Sequence, residues 1–123
     1  MGKKILVVDD EENILVMVET RLRSNGFDVI TAGDGQEGLV KARTENPDLI
    51  ILDLMLPKLD GYKVCRMLKG DEQFKHIPII LFSARTQDTD QDMGRQQGAD
   101  AYVIKPFEQE ILLSKIKELL SRN

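Results

Sequence analysis

Two short stretches decide how this chain is read: Ile5-Leu6-Val7-Val8-Asp9-Asp10 and Leu49-Ile50-Ile51-Leu52-Asp53. Each is apolar throughout its run and then turns acidic at once. A strand that meets water on one face alternates apolar with polar residues, whereas a strand covered on both faces reads as an unbroken apolar run. Ile79-Ile80-Leu81-Phe82 is a run of the same kind and is followed by Ser83. Strands are therefore expected at Lys4 to Val8, Leu49 to Leu52 and Ile79 to Phe82, in the centre of a sheet. Asp28 to Ala32 and Ala101 to Ile104 are mixed in polarity and suit the edges.

Amphipathic stretches separate these strands, and the alternation predicts an α/β fold with a parallel sheet. Ile14, Leu15, Val18 and Leu22 form a stripe at helical spacing that Asn25-Gly26 closes. Asp34 can cap a second helix, which stops before Asn46-Pro47 because the residue before proline disfavours helical angles. Asp60 can cap a third, with Val64, Cys65 and Leu68 inward. A fourth is expected between Thr86 and Gly98, where Met93 is the sole large apolar residue and Asp88, Asp90, Asp92 and Gly94 weaken the helix; it should be short or mobile. A fifth carries Leu112, Ile116, Leu119 and Leu120 inward, with Lys115, Lys117 and Arg122 toward its negative end. A doubly wound five-stranded sheet in the order 2-1-3-4-5, with five helices on both faces, satisfies this distribution.

The 123 residues suit one domain, residues 1–123. With 41% hydrophobic and 31% charged residues, the composition is that of a globular chain, and no apolar run approaches the roughly 18 residues of a membrane helix. A net charge of −4 lacks the basic footprint of nucleic-acid binding. One cysteine, Cys65, forms no internal disulfide, which fits a cytoplasmic location.

Chemistry enters at the strand ends. Asp9 and Asp10 follow the first central strand and Asp53 the third, and ligands of open parallel sheets bind beyond the carboxyl ends of the strands where the chain order reverses. Three carboxylates should therefore meet. Unit charges about 4 Å apart repel by ~4 kcal/mol at an effective dielectric of about 20, so the cluster calls for a cation. Mg²⁺ fits, with Mn²⁺ as an alternative, since it prefers oxygen ligands and is held by one or two carboxylates plus phosphate oxygens. Ser83 ends the fourth strand and offers a hydroxyl, and Lys105 ends the fifth and offers a positive charge. Attack of Asp53 on a phosphoryl donor would give an acyl phosphate that water later hydrolyses.

Val7-Val8-Asp9-Asp10-Glu11, Asp53-Leu54-Met55-Leu56-Pro57 with Asp60-Gly61, Ser83-Ala84, Gly98-Ala99-Asp100 and Lys105-Pro106-Phe107, in this order, resemble the receiver domain of bacterial two-component response regulators over essentially the whole chain. The resemblance implies a flavodoxin-like fold, so the strand order is partly inherited from it. It implies phosphorelay signal transduction, with Asp53 as phosphoacceptor and Asp9, Asp10, Asp53 and the Met55 backbone carbonyl holding the metal. Ser83 and Lys105 would contact the phosphoryl group, and the Lys105-Pro106 bond would be cis. Ser83 and Tyr102 would form a switch governing the surface of the fourth helix, fifth strand and fifth helix. The implied partners are a sensor histidine kinase or phosphotransfer protein and a downstream protein or removed output domain. The chain would be a phosphoacceptor that assists its own phosphorylation and dephosphorylation rather than an enzyme. Met55 and Arg85 occupy positions that tune phosphoryl lifetime in that family.

Each residue also has a plainer reading. Adjacent aspartates after a strand often only cap a helix, Tyr102 suits an ordinary edge strand, Cys65 suits a helix interior, and His76 has no ligand-type neighbour in sequence. A flavin- or nucleotide-binding protein on the same fold would place glycines or hydroxyls where Asp9-Asp10-Glu11-Glu12 stands. A hydrolase with an aspartate nucleophile usually sets it on the first strand, two residues before a second acid, unlike the adjacent Asp9-Asp10 pair. Ala101 and Lys115 differ from the Asp and Arg common in DNA-binding regulators, which favours a stand-alone regulator over an excised receiver. Because guanidinium pairs well with phosphoryl oxygens, Arg85 is expected to cover the site and alter water access. Arg85→Ala should then change the decay rate of the phosphorylated chain, and an unchanged rate would refute this role.

Overall fold

The computed structural model describes residues 2–83, 98–105 and 108–121, with Ser83 described by its backbone. The expected fourth helix, Arg85, Pro106, Phe107, Arg122 and the Ser83 side chain lie outside the described residues. The described elements are β1 (Lys4–Val8), α1 (Glu12–Ser24), β2 (Asp28–Ala32), α2 (Gly35–Glu45), β3 (Leu49–Asp53), α3 (Gly61–Lys69), β4 (Ile79–Ser83), β5 (Ala101–Ile104) and α4 (Gln109–Ser121). α4 corresponds to the fifth helix expected from sequence.

All described pairings are parallel, and the sheet runs β2-β1-β3-β4-β5. The unbroken apolar runs of β1, β3 and β4 occupy the centre as expected. Their side chains alternate between two cores. Ile5, Val7, Leu49, Ile51, Ile80 and Phe82 pack with α1 and α4 on one face. Leu6, Val8, Ile50, Leu52, Ile79 and Leu81 pack with α2 and α3 on the other. Fully burying one such aliphatic side chain contributes about 1.5–3 kcal/mol, and covering both faces is what a parallel sheet requires.

β3 and β4 each run one residue beyond their apolar stretch, to Asp53 and Ser83. Pairing outlasts apolarity here because Asp53 stands opposite Phe82 and the Leu54 N–H donates to the Phe82 carbonyl at 3.0 Å. Backbone ladder bonds are indifferent to the side chain above them.

The helix ends follow the expected chemistry. The Asp34 carboxylate accepts from the Glu37 N–H at 2.8 Å and Asp60 from the Lys63 N–H at 3.0 Å, each satisfying an orphan donor of a first turn. α2 closes on Asn46 in the left-handed conformation, φ 49°. Val64, Cys65 and Leu68 face inward from α3, and burial pushes the Cys65 thiol up to about 12, which makes it an unreactive core residue. In α4, Leu112, Ile116 and Leu119 are buried and Leu120 is half-buried against the same core. The last described turn holds no basic residue, and Lys115 and Lys117 lie before it.

The loop after β3 folds back so closely that a Cβ on Gly61 would sit 2.3 Å from the Asp53 carbonyl oxygen. Backbone, not a flexible side chain, is what it would strike. Gly61→Ala should therefore cost about 1–3 kcal/mol, an overpacking penalty readable as a lowered urea midpoint. A midpoint equal to the parent's would show that the loop can yield.

Candidate functional site

Strand alternation brings the site together. Residues 5, 7 and 9, residues 49, 51 and 53, and residues 101, 103 and 105 share a phase, and the apolar members pack toward α1 and α4. Register sets Val8 beside Leu52, Asp53 beside Phe82 and Phe82 beside Val103, so the next residues on these strands reach one end of the sheet together.

There the carboxylates of Asp9, Asp10 and Asp53 each offer an oxygen within 4.8 Å of the others. Asp9 is fully buried and Asp53 is 5% exposed, whereas Asp10, one step along the chain, faces solvent. The Lys105 ammonium stands 2.9 Å from Asp9 Oδ2 and 3.4 Å from Asp53 Oδ2. Backbone donors complete the arrangement. The Glu11 N–H donates to Asp9 Oδ1 at 2.9 Å, and the Met55 N–H lies 3.4 Å from Asp53 Oδ1.

The electrostatics follow from burial and company. Desolvation first, and the Asp9 charge second, push the Asp53 carboxyl up to about 6 against the opposing pull of Lys105. For Lys105, burial favours loss of the proton, but its hydrogen bond to Asp9 and the attraction of Asp53 outweigh this and hold it above the ordinary lysine value. The donor set is all oxygen and acidic, which fits a hard divalent cation such as Mg²⁺ better than a softer metal.

The other expected positions are distributed differently. Tyr102 is half-buried on β5 and packs against the core under α2 and α3, across the sheet from Lys105. Its hydroxyl is buried with no hydrogen-bond partner among the described residues. The Met55 side chain is exposed, and His76 is exposed in the loop before β4. Glu11 was not singled out in sequence, yet its carboxylate lies 3.8 Å from Lys105 Nζ and its N–H fixes Asp9. The available signal was its position directly after the acidic pair.

A parallel sheet of this order with an acidic cluster and a lysine at its carboxyl end defines the receiver class of signalling domains. Residues 5–117 match the response regulator receiver domain family, and the chain belongs to it. It is 48% identical over 123 residues to the alkaline phosphatase synthesis transcriptional regulatory protein PhoP of Bacillus subtilis, covering 100% of this chain and 50% of that protein. It is 42% identical to the DNA-binding response regulator MtrA of Mycolicibacterium smegmatis, covering 100% of this chain and 53% of that one. The chain thus spans about half the length of these relatives. Among solved structures it resembles the receiver domain of the sensor histidine kinase PA1611 of Pseudomonas aeruginosa, which has a magnesium ion coordinated in its active-site cleft. The TM-score is 0.91 at 30% identity, covering 98% of this chain and 99% of that one.

Between about pH 4 and pH 6 the folded chain keeps on Asp53 a proton that the unfolded chain has released, so stability falls as pH rises through that window. Asp53→Asn removes the titrating group. In chelator-containing buffer near pH 7 the variant should be more stable by about 1–3 kcal/mol, with the gain shrinking near pH 4. Urea unfolding at both pH values measures it, and equal stabilities near pH 7 would contradict the raised affinity.

Proposed function

We propose that this chain accepts a phosphoryl group on Asp53 and relays it as a signal. The observation that carries the reading is the Asp53 carboxylate itself, 5% exposed, 3.4 Å from the Lys105 ammonium and within reach of Asp9 and Asp10. A carboxylate oxygen of Asp53 attacks phosphorus, a new O–P bond forms, and the bond from phosphorus to the donor breaks with its electrons leaving on the donor. Lys105 neutralises charge that builds on the transferred group, which is the main demand of phosphoryl transfer. Asp9 and Asp10, with Asp53 and the Met55 carbonyl, would hold Mg²⁺ or Mn²⁺. Bound there, the ion supplies further charge neutralisation of the phosphoryl oxygens.

Ser83 contacts the phosphoryl group in this proposal, and Tyr102 responds with it to alter the surface around β5 and α4. The buried Tyr102 hydroxyl, without a partner among the described residues, supports a side chain with an alternative position. Met55 and Arg85 tune how long the phosphoryl group lasts. The donor would be a sensor histidine kinase or phosphotransfer protein, in the cytoplasm. No described helix is long and apolar enough to cross a membrane. PhoP and MtrA are named as a transcriptional regulatory protein and a DNA-binding response regulator, and each is about twice as long as this chain. That supports an output region acting on transcription over the stand-alone reading. The receiver part, at −4, would not itself bind nucleic acid.

Incubation with acetyl phosphate and Mg²⁺ should add one phosphoryl group per chain by intact-mass measurement, with Asp53→Asn reduced to background. Asp10→Asn should slow uptake and weaken Mg²⁺ binding. Undiminished uptake in Asp53→Asn would overturn the assignment.

A further inference from the structure

The apolar run of β4, Ile79 to Phe82, is aliphatic apart from its largest member. Ile79, Ile80 and Leu81 are followed by Phe82, the bulkiest fully buried side chain among the described residues. That ring stands opposite Asp53 in the β3–β4 register and opposite Val103 in the β4–β5 register, one pair short of the end where Lys105 emerges. The Lys105 ammonium lies over it, 5.5 Å from the ring centroid. A cation within about 6 Å of an aromatic face is attracted by the ring quadrupole, more strongly where water is excluded. The lysine side chain is only 12% exposed, so water screens little of this contact.

We propose that Phe82 is a positioning residue for Lys105. Asp9 at 2.9 Å and Asp53 at 3.4 Å supply most of the attraction, and Glu11 competes weakly from 3.8 Å with a carboxylate that is 64% exposed. The aromatic face beneath Lys105 adds to the inward pull. It draws the ammonium inward, over the strand tips and toward Asp53, and away from the solvent-facing Glu11. An aliphatic side chain of similar volume would keep the floor of the site without this pull. Phe82 touches no reacting atom and acts through Lys105.

One test does not depend on the proposed phosphoacceptor role. In carbon-13-labelled protein, the ε-methylene resonance of Lys105 should be displaced upfield of the other lysines by the ring current of Phe82, and the displacement should vanish in Phe82→Leu. An undisplaced resonance in the parent overturns the proposal. The second test rests on the phosphoryl-transfer reading. With acetyl phosphate and Mg²⁺, Phe82→Leu should slow uptake about three- to tenfold, while Phe82→Tyr, which keeps the ring face, recovers most of the rate. In a Lys105→Ala background, Phe82→Leu should have no further effect, since coupled residues are non-additive. A full additional loss in that background would mark Phe82 as mere packing and refute the proposal. Failure of the parent chain to take up label would instead fault the phosphoacceptor reading and leave the resonance test standing. If the leucine variant unfolds, Phe82→Met is read in its place.

Discussion

One ammonium between two buried carboxylates is the constraint on which the site depends. Lys105 reaches Asp9 across 96 positions of sequence at 2.9 Å, and it is also 3.4 Å from Asp53. Without a cation there, the like charges of the aspartates would oppose each other where water can do little to separate them. Asp53 shows the residual imbalance, since burial and Asp9 still lift its carboxyl to about 6 despite Lys105. The site is thus destabilised locally and held together by the rest of the fold. Such a carboxylate is short of positive charge, a setting that suits a divalent cation.

The sheet makes that imbalance sustainable. Both faces of β1, β3 and β4 are sealed by helices, so the strand ends are positioned by cores that do not include the acidic groups. Ladder bonds persist beyond the apolar runs and carry Asp53 to the carboxyl end of the sheet as a strand residue rather than a loop residue. The close return of the following loop, possible because Gly61 lacks a side chain, packs backbone directly against the Asp53 carbonyl. A carboxylate on a rigid strand end can be held near its partners at little entropic cost at the moment of reaction.

Much of this was legible in the residue string. Unbroken apolar runs marked the central strands, mixed runs the edges, and Asp34, Asp60 and Asn25-Gly26 the helix ends, because backbone capping and burial leave local signatures. The strand order was legible only with the help of the family resemblance. Strand lengths were each short by one residue at β3 and β4, since apolarity is a proxy for pairing and fails where a polar residue keeps its ladder bonds.

The sequence by itself determined the alternation of elements, the two-sided burial of three strands and the placing of Asp9, Asp10, Asp53 and Lys105 at strand ends, because each is a matter of local spacing. Only the tertiary structure decided that Asp9 is buried while its neighbour Asp10 faces water, that Glu11 shares Lys105, and that Tyr102 lies across the sheet from the lysine. It also decided the proton affinity of Asp53. Burial and electrostatic potential at a side chain are sums over neighbours from distant parts of the chain, and no local pattern records them.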